Sequence, residues 1–301
     1  MSARGTATSP NGSIPRVHKP SRSTFQRDFV LKARPAILTG VLDEWPALGK
    51  WTPQFFAETL GDMVVPGNQQ NPGDEILLGQ IGNFVKMPMR ELMDLVVNPP
   101  DGNVYYLRAF PIYKAPVLMQ DYEIPDICPN WIDLRNAPFN ASREAISKTL
   151  EETLFVGGAG VVTPLHTDGV RTGAILAQLY GRKRCVLFPG SQSKYLYPRP
   201  LQKHFGMSAV DFRKPDLERF PLYRNAKPLE FVLEPGELLY IPHGCWHGVE
   251  SLDPSVSYSI QILNRANFLP FVVGLAERPI AAAYYASQGG FKKVIGAVAW
   301  E

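Results

Sequence analysis

The sequence predicts a mainly β protein whose strands close into a double-stranded β-helix, a jelly-roll barrel. Short apolar runs of strand length follow one another from Thr153 onward. Tight turns such as Gly181-Arg182 and Glu234-Pro235-Gly236 separate these runs. Helical periodicity is confined to segments before the barrel and after Arg265, which predicts flanking N-terminal helices and a C-terminal helical segment. Antiparallel strands joined by tight turns are typical of jelly rolls.

The composition fits a folded domain of this class. The chain has 301 residues, of which 45% are hydrophobic and 11% aromatic, enough for a substantial core. Its net charge of +3 is close to neutral for this length, so no nucleic-acid partner is indicated. We find no run of about 18 apolar residues, so we expect no membrane contact. Cys128, Cys185 and Cys245 lack CxxC spacing, which favours free thiols in a reducing, cytoplasmic compartment.

The chain divides into three parts. Residues 1–20 are rich in small, proline and basic residues, with no acidic residue before Asp28, and we predict a disordered basic tail. The same composition leaves an organelle transit peptide open, whereas the lack of an apolar stretch argues against a secretory signal. We expect a main domain over 21–265, with its barrel at about 153–264, and a helical segment over 266–301.

The first half of the chain predicts short strands and two helices. Thr52 is a favourable N-cap for a helix that starts at Pro53 and ends near Leu60. A second helix over 89–97 has helical periodicity and is stopped by the prolines at 99 and 100. Strands are predicted at 36–38, near Val64, at 76–78 and at 104–110.

The second half supplies the barrel strands. The apolar runs 174–180 and 183–188, joined by Gly181-Arg182, predict a β-hairpin. Further strands are predicted at 154–156, around His166, at 230–233, at 238–241 and at 256–263.

Three less regular segments complete the prediction. Residues 111–140 should wrap across the domain, anchored by Trp131 and Phe139. The connection 191–228 either forms a lid over the barrel or wraps its edge. Short helices are predicted at 268–276, 280–286 and 291–300, and their apolar content either packs on the barrel or forms a dimer surface.

Two distant segments contain the residues of a candidate metal site. In a strand, residues i and i+2 point to one face, so His166 and Asp168 can bind one ion from a single edge. A third ligand must come from another strand, and 241–247 offers histidines. Two imidazoles and one carboxylate are the facial triad of Fe(II) oxygenases, which leaves three coordination positions open. His243 and His247 also have the i, i+4 spacing of a helical zinc site, but Pro242 and Gly244 argue against a helix there.

Lys183 follows the Gly181-Arg182 turn and allows two interpretations. An inward ammonium on an apolar wall is costly unless an anion pairs with it, and a dicarboxylate co-substrate would supply that anion. Alternatively, Lys183 faces water among its basic neighbours Arg182 and Arg184.

Several ordered segments resemble one known family. These are TPLHTD (163–168), AQLYGRKRCVLFP (177–189), YLYPRP (195–200), VDFRKPDLERFP (210–221) and LEPGELLYIPHGCWHGVESL (233–252). Together they resemble the JmjC/cupin-like 2-oxoglutarate oxygenases, and within that family the asparaginyl hydroxylases most. The resemblance spans roughly 153–264, with a fainter match at 35–40 and at Trp45-Pro46.

The resemblance implies a role for each matching position. It implies that His166, Asp168 and His247 bind iron. It also implies that Lys183 pairs with the distal carboxylate of 2-oxoglutarate. The remaining candidates are Thr163, Tyr106 and Gln261 for the co-substrate, and Arg108 and Arg171 for the substrate. Tyr105 adjoins Tyr106, and strand parity permits only one of them to face inward.

Three positions depart from the family pattern. Gly173-Ala174 stands where relatives carry an asparagine near the metal, and Cys245 stands where many have tryptophan. Gln261 replaces an asparagine near the co-substrate but keeps an amide. None of these changes removes a metal ligand, although they predict different hydrogen bonds around the metal.

The function implied by the resemblance is Fe(II)- and 2-oxoglutarate-dependent hydroxylation of an unactivated C–H bond, with O2 as the second co-substrate. The expected substrate is an amino-acid side chain in a protein or peptide, or a small amino-acid-derived metabolite. A homodimer through the C-terminal helices is implied as well. The alternatives are lysine demethylation, a metal-cupin enzyme without an oxo-acid, and a non-catalytic cupin-type binding module.

Overall fold

The computed structural model describes residues 13–70, 83–125, 127, 142–149, 151–199 and 206–274. The strands are β1 (Arg16–His18), β2 (Ala36–Thr39), β3 (Val64–Gln70), β4 (Asn83–Pro88), β5 (Val104–Pro111), β6 (Thr153–Gly157), β7 (Val162–Thr167), β8 (Gly173–Tyr180), β9 (Lys183–Phe188), β10 (Pro198–Arg199), β11 (Gly206–Ser208), β12 (Leu229–Leu233), β13 (Glu237–Ile241), β14 (Trp246–Ser251) and β15 (Ser255–Ile262). The α-helices are α1 (Arg22–Phe25), α2 (Ala47–Lys50), α3 (Pro53–Thr59), α4 (Met89–Val97) and α5 (Arg143–Thr149).

The strands form two sheets that enclose a common interior. The larger sheet has the order β1-β2-β13-β8-β15-β6-β5-β3-β4, and the smaller has the order β10-β11-β7-β14-β9-β12. Neighbouring strands are antiparallel except for the parallel pair β1–β2. The predicted mainly β, jelly-roll fold is confirmed.

The predicted hairpin of β8 and β9 is wrong. β8 pairs with β13 and β15 in the larger sheet, whereas β9 pairs with β14 and β12 in the smaller one. Gly181, with φ +65°, turns the chain from one sheet to the other, and a Cβ there would collide with the carbonyl of Pro254. A tight turn has the same sequence signal in a hairpin and in such a corner, so the sequence could not separate them.

Buried apolar side chains form three layers. The largest layer covers the outer face of the larger sheet and includes Phe25, Trp51, Met93 and Tyr258. A second layer lies between the sheets and joins β9 to β13, for example through Leu187 and Leu239. A third layer covers the outer face of the smaller sheet. Its members are Val162, Leu165, Val186, Phe188, Leu196, Phe212 and Trp246.

Most predicted elements in the described residues are confirmed. Thr52 caps α3, accepting a hydrogen bond from the Phe55 amide at 3.2 Å, and α4 has the predicted bounds. Residues 268–274 are helical, as expected. The predicted strand at 76–78, the anchors Trp131 and Phe139, and the helices at 280–286 and 291–300 lie outside the described residues. The helices that the structure describes include none that is long and apolar enough to cross a membrane.

Part of the long connection 191–228 extends the smaller sheet. β10 pairs with β11, and β11 pairs with β7, where Met207 lies opposite His166. This arrangement matches the barrel-edge interpretation for that part of the connection, and it covers the edge of the strand that carries the first candidate ligand.

Candidate active site

The candidate metal residues come from two adjacent strands of the smaller sheet. His166 on β7 and His247 on β14 are directly opposite each other in the antiparallel ladder. Cross-strand partners project to the same face, so both imidazoles enter the interior. Asp168 follows two residues after His166, in extended backbone just beyond the end of β7.

The three side chains converge. The Asp168 Oδ1 atom lies 4.0 Å from His166 Nε2 and 3.8 Å from His247 Nε2. One ligand atom from each residue lies within 4.8 Å of the other two. The imidazole centroids are 4.1 Å apart. A single ion can therefore lie between all three groups.

Backbone carbonyls fix which imidazole nitrogen is available. His166 Nδ1 lies 2.8 Å from the Pro164 carbonyl oxygen, and His247 Nδ1 lies 3.3 Å from that of Cys245. A carbonyl oxygen can only accept, so each Nδ1 carries the proton and donates it. Each Nε2 atom therefore presents its lone pair toward Asp168, the arrangement that metal-binding histidines need.

Burial also sets the charge states of the site. Burial, together with the charges of His247 and Arg108, lowers the pKa of His166 well below its usual value and favours the neutral imidazole. Burial raises the pKa of Asp168, although His247 opposes this effect. A cation between the three groups would compensate the buried carboxylate, and two neutral imidazoles with one carboxylate are a donor set suited to Fe(II).

Lys183 faces the interior, which decides between the two interpretations of its position. Lys183, Cys185 and Leu187 alternate along β9, and Leu187 lies opposite His247. Lys183 is 4% exposed, and burial lowers the pKa of its ammonium to about 8. In the described part of the chain this ammonium contacts no carboxylate.

A chain of hydrogen bonds positions the Lys183 ammonium. Nζ donates to Ser257 Oγ at 2.6 Å, and that hydroxyl donates to Gln178 Oε1 at 2.7 Å. The Gln178 amide then donates to the carbonyls of Tyr180 and Gly181, both at 2.8 Å. An ammonium has three donors, so the described residues leave two for a ligand.

Tyr106 and Thr163 form a second pair on the interior faces. The Tyr106 phenol hydrogen-bonds to Thr163, and burial raises its pKa. Tyr105 instead belongs to the outer layer of the larger sheet, which settles the question of strand parity. No hydrogen bond joins this pair to Lys183 within the described residues.

The remaining predicted site residues lie on three different elements. Gln261 on β15 accepts a hydrogen bond from Thr172 Oγ1 at 2.6 Å and pairs in register with Ala174. Arg108 on β5 is half-buried. Arg171 is exposed, in the 3₁₀ turn after Asp168, and has a φ of +56°.

The sequence reasoning missed Ser257 and Gln178, the partners of Lys183. A signal was present, because serines at 255, 257 and 259 alternate with apolar residues at 256, 258 and 260. Such alternation normally indicates a strand with one face in water. In the structure both faces of β15 are largely buried, and the polar face lines the interior.

Two of the three cysteines can be assessed. Cys185 and Cys245 are buried free thiols, as predicted, and burial raises the pKa of each to about 12. The thiolate is therefore scarce at neutral pH. Cys128 lies outside the described residues.

Comparison with known proteins identifies the family. The profile of the cupin-like domain matches residues 22–262. The chain is a member of the cupin-like JmjC family. The expected membership is thereby confirmed at the level of the family.

The chain is similar to relatives that carry three kinds of name. The lysine-specific demethylase 8 of Xenopus tropicalis is 29% identical over 82% of this chain and 52% of its own length. The JmjC domain-containing protein D of Dictyostelium discoideum is 30% identical over 79% of this chain and 53% of its own. The human HSPB1-associated protein 1 is 40% identical over 35% of this chain and 22% of its own. The chain spans about half the length of the first two relatives.

JmjC oxygenases depend on Fe(II) and 2-oxoglutarate, and the site can be tested for its fit to both. The donor set of His166, Asp168 and His247 suits Fe(II). The buried ammonium of Lys183, which contacts no carboxylate of the described residues, suits a carboxylate of the oxo-acid. The residues present therefore fit both groups.

Proposed function

We propose that this JmjC protein is an Fe(II)- and 2-oxoglutarate-dependent hydroxylase. One observation carries the proposal: the metal-binding triad shares the barrel interior with a buried lysine ammonium that contacts no carboxylate of the described residues. A binding site for a metal alone would not need that cation. A dicarboxylate that chelates the metal at one end gives the ammonium an anion at the other.

Each residue has a defined task in this proposal. With Fe(II) and 2-oxoglutarate bound, the chemistry supplied couples oxidative decarboxylation of the oxo-acid to O2-dependent oxidation of an unactivated C–H bond. His166, Asp168 and His247 hold the metal on one side and leave the other side open. Lys183 binds and orients the distal carboxylate of the oxo-acid. Burial of these groups excludes water from the reaction.

Co-substrate binding also involves Thr163, Tyr106 and Gln261 in this proposal. The Tyr106–Thr163 pair presents two hydroxyls on the interior faces of opposite sheets. The sequence motifs suggest a likeness to the asparaginyl hydroxylases, and the Gln261 amide stands where those enzymes have an asparagine. The relatives reported above are instead named as a demethylase, a JmjC-domain protein and an HSPB1-associated protein, so that finer likeness rests on the motifs alone.

The proposed substrate is an amino-acid side chain, in a protein or peptide or in a small metabolite. A demethylase would act on an N-methyl group instead, as the name of the Xenopus relative states for lysine. Mass spectrometry separates the two outcomes. Hydroxylation adds one oxygen to the substrate, whereas demethylation removes one methyl group and releases formaldehyde. Loss of methyl groups with release of formaldehyde, and no substrate that retains an added oxygen, would contradict the proposal.

The decisive test of the metal site uses His166→Ala and Asp168→Ala. Each variant removes one ligand of a three-ligand site, so both should lose Fe(II)-dependent succinate formation and tight Mn(II) binding. His243→Ala is the matched control, because His243 is a half-buried histidine nearby that is not part of the triad. Full turnover by either triad variant would contradict the assignment.

A non-catalytic cupin-type binding module is the alternative. Thermal unfolding distinguishes the two functions. A ligand that binds only the folded state raises Tm. If the protein is the proposed enzyme, 2-oxoglutarate should raise Tm strongly only when a metal is present. If 2-oxoglutarate raises Tm equally with and without metal, and no succinate forms, the binding module is favoured.

We also propose a homodimer. Helical residues 268–274 expose Phe268, Leu269, Val272 and Val273, which lie on one face by helical spacing. An exposed apolar patch of this kind is typical of an interface between protein chains.

A further inference from the structure

Arg108 lies on the inward face of β5, at the start of an irregular stretch of that strand. Arg108 is two residues after Tyr106 and therefore shares its inward face. Between Leu107 and Phe110 the register with β6 shifts, so that two residues of β5 oppose one of β6. Ala109, inside this bulge, has a φ of +51°, a strained value for a residue with a Cβ. Such bulges occur next to active sites, where they redirect a side chain.

The Arg108 guanidinium has no anionic partner among the residues that the structure describes. It makes no hydrogen bond or ion pair with any residue that the structure describes, although its five N–H groups are strong donors. Burial lowers its pKa. Tyr106, two residues earlier on the same face of β5, hydrogen-bonds to Thr163 on β7, and β7 also carries His166. Arg108 therefore lies on the interior face that is turned toward the triad. A desolvated cation without a partner is unfavourable. The described part of the fold therefore holds a positive charge on the interior face of β5 and supplies no counter-charge for it.

The proposed co-substrate cannot supply that counter-charge. 2-Oxoglutarate has two carboxylates, one beside the keto group that chelates the metal and one that Lys183 binds. Neither the oxo-acid nor the described residues supply a further carboxylate for Arg108, so we assign its anion to another molecule in the site. A phosphate carries about −1.5 to −2 charges, which one guanidinium does not neutralise. A carboxylate matches it in both charge and planar geometry.

We propose that Arg108 binds a carboxylate of the substrate, close to the carbon that is oxidised. This inference rests on the proposed function and narrows its substrate class to carboxylate-bearing amino acids or residues. Two sources share this chemistry: the α-carboxylate of a free amino acid or a chain terminus, and the side-chain carboxylate of aspartate or glutamate. Arg108 is therefore a specificity-determining residue, and it does not take part in metal binding.

The test uses full-length protein with Mn(II) and saturating 2-oxoglutarate, so that the oxo-acid site is filled. The probes are acetate and the twenty amino acids, each as the free acid and as its α-carboxamide. Thermal shift and calorimetry measure binding. Acid–amide pairs test the α-carboxylate, whereas the pairs aspartate–asparagine and glutamate–glutamine test the side chain. Substrate-stimulated succinate formation with Fe(II) is measured in parallel.

The expected result is that one carboxylate class binds at least about tenfold more tightly than its amides, as a charge-assisted pair requires. Arg108→Gln should abolish this preference, and Arg108→Lys should restore part of it by keeping the charge. Arg27→Gln, which changes an exposed arginine on the N-terminal helical segment, is the matched control. Arg108→Gln should unfold at the same or a higher temperature in the empty protein, because it removes a half-buried charge that has no anionic partner among the described residues.

Three results would overturn the inference. They are the absence of any acid-over-amide preference in the wild type, an unchanged preference in Arg108→Gln, and loss of 2-oxoglutarate binding itself in Arg108→Gln. The last result would place Arg108 in the co-substrate site. If wild-type protein instead fails to bind Mn(II) and 2-oxoglutarate together, the proposed function fails, and the carboxylate preference is still measured in the unloaded protein.

Discussion

Lys183 couples binding of the oxo-acid to the stability of the fold. Its ammonium is nearly fully buried, and one neutral hydroxyl, that of Ser257, is its hydrogen-bond partner in the described structure. Burial holds its pKa at about 8, below the ordinary 10.5. The empty protein therefore carries a charge that disfavours the folded state at neutral pH.

We predict that Lys183→Met stabilises the empty protein at pH 7 by about 1–3 kcal/mol and abolishes 2-oxoglutarate binding. The unfolded chain binds the lysine proton more tightly than the folded protein does. Wild-type stability should therefore rise with pH between about 8 and 10.5, and the variant should lack that rise. Urea unfolding across this pH range measures both effects. A variant that is less stable than the wild type at pH 7 would contradict the account.

The affinity of the wild type for 2-oxoglutarate should show the opposite trend. Only the ammonium form pairs with a carboxylate, so affinity should fall as pH rises above about 8, approaching tenfold per pH unit. Titration calorimetry with Mn(II) present follows this dependence, and Lys183→Arg, whose side chain stays charged, is the control.

At the scale of the element, β14 positions His247 through a glycine that has no room for a side chain. A Cβ on Gly248 would lie 2.5 Å from the Phe212 ring. Phe212 comes from the long connection and packs on the outer face of the smaller sheet. The connection 191–228 therefore packs directly against β14, the strand that carries the proposed metal ligand His247.

Gly248→Ala should destabilise the protein by about 1–3 kcal/mol and weaken Mn(II) binding, because either the ring or β14 must move. Adding Phe212→Leu to the Gly248→Ala variant should restore much of the stability and of the Mn(II) affinity. A double-mutant cycle measures this coupling. Phe212→Leu alone is the reference. Additive effects of the two substitutions would show that the ring does not set the position of β14.

The same scale shows what the sequence could and could not predict. Runs of apolar residues located most strands, and capping residues located α3 and α4. The pairing of β8 and β9 was mispredicted, because local turn chemistry does not state which sheet the next strand joins. The sequence also left open whether Lys183 faces the interior or water, because its basic neighbours Arg182 and Arg184 are compatible with both orientations.

Strand parity has a further exception near the metal. Thr163 and His166 are three residues apart, yet both reach the interior, because the β7–β14 register shifts between them. Simple alternation would send one of them outward. The HxD spacing of His166 and Asp168 was predictable, whereas a bulge has no clear sequence signal.

At the scale of the whole molecule, the proposed dimer can be tested through one residue. Leu269 is 71% exposed in the helical residues 268–274. We predict that Leu269→Glu converts a dimer to a monomer, because it places a charge in an apolar interface. Size-exclusion chromatography with light scattering measures the mass. Val117→Glu, an exposed apolar residue elsewhere, should leave the dimer intact. A monomeric wild type would contradict the proposal.

The division of β15 between two faces has a consequence for how such proteins diverge. Its outward residues Val256, Tyr258 and Ile260 belong to the large outer layer, whereas Ser257 supports the ammonium on the opposite face. Substitutions on the interior face of β15 can therefore occur without changes on its outer face. Descendants of a common ancestor can exchange interior hydroxyls and amides, and so acquire new chemical preferences, while the scaffold that they share stays the same.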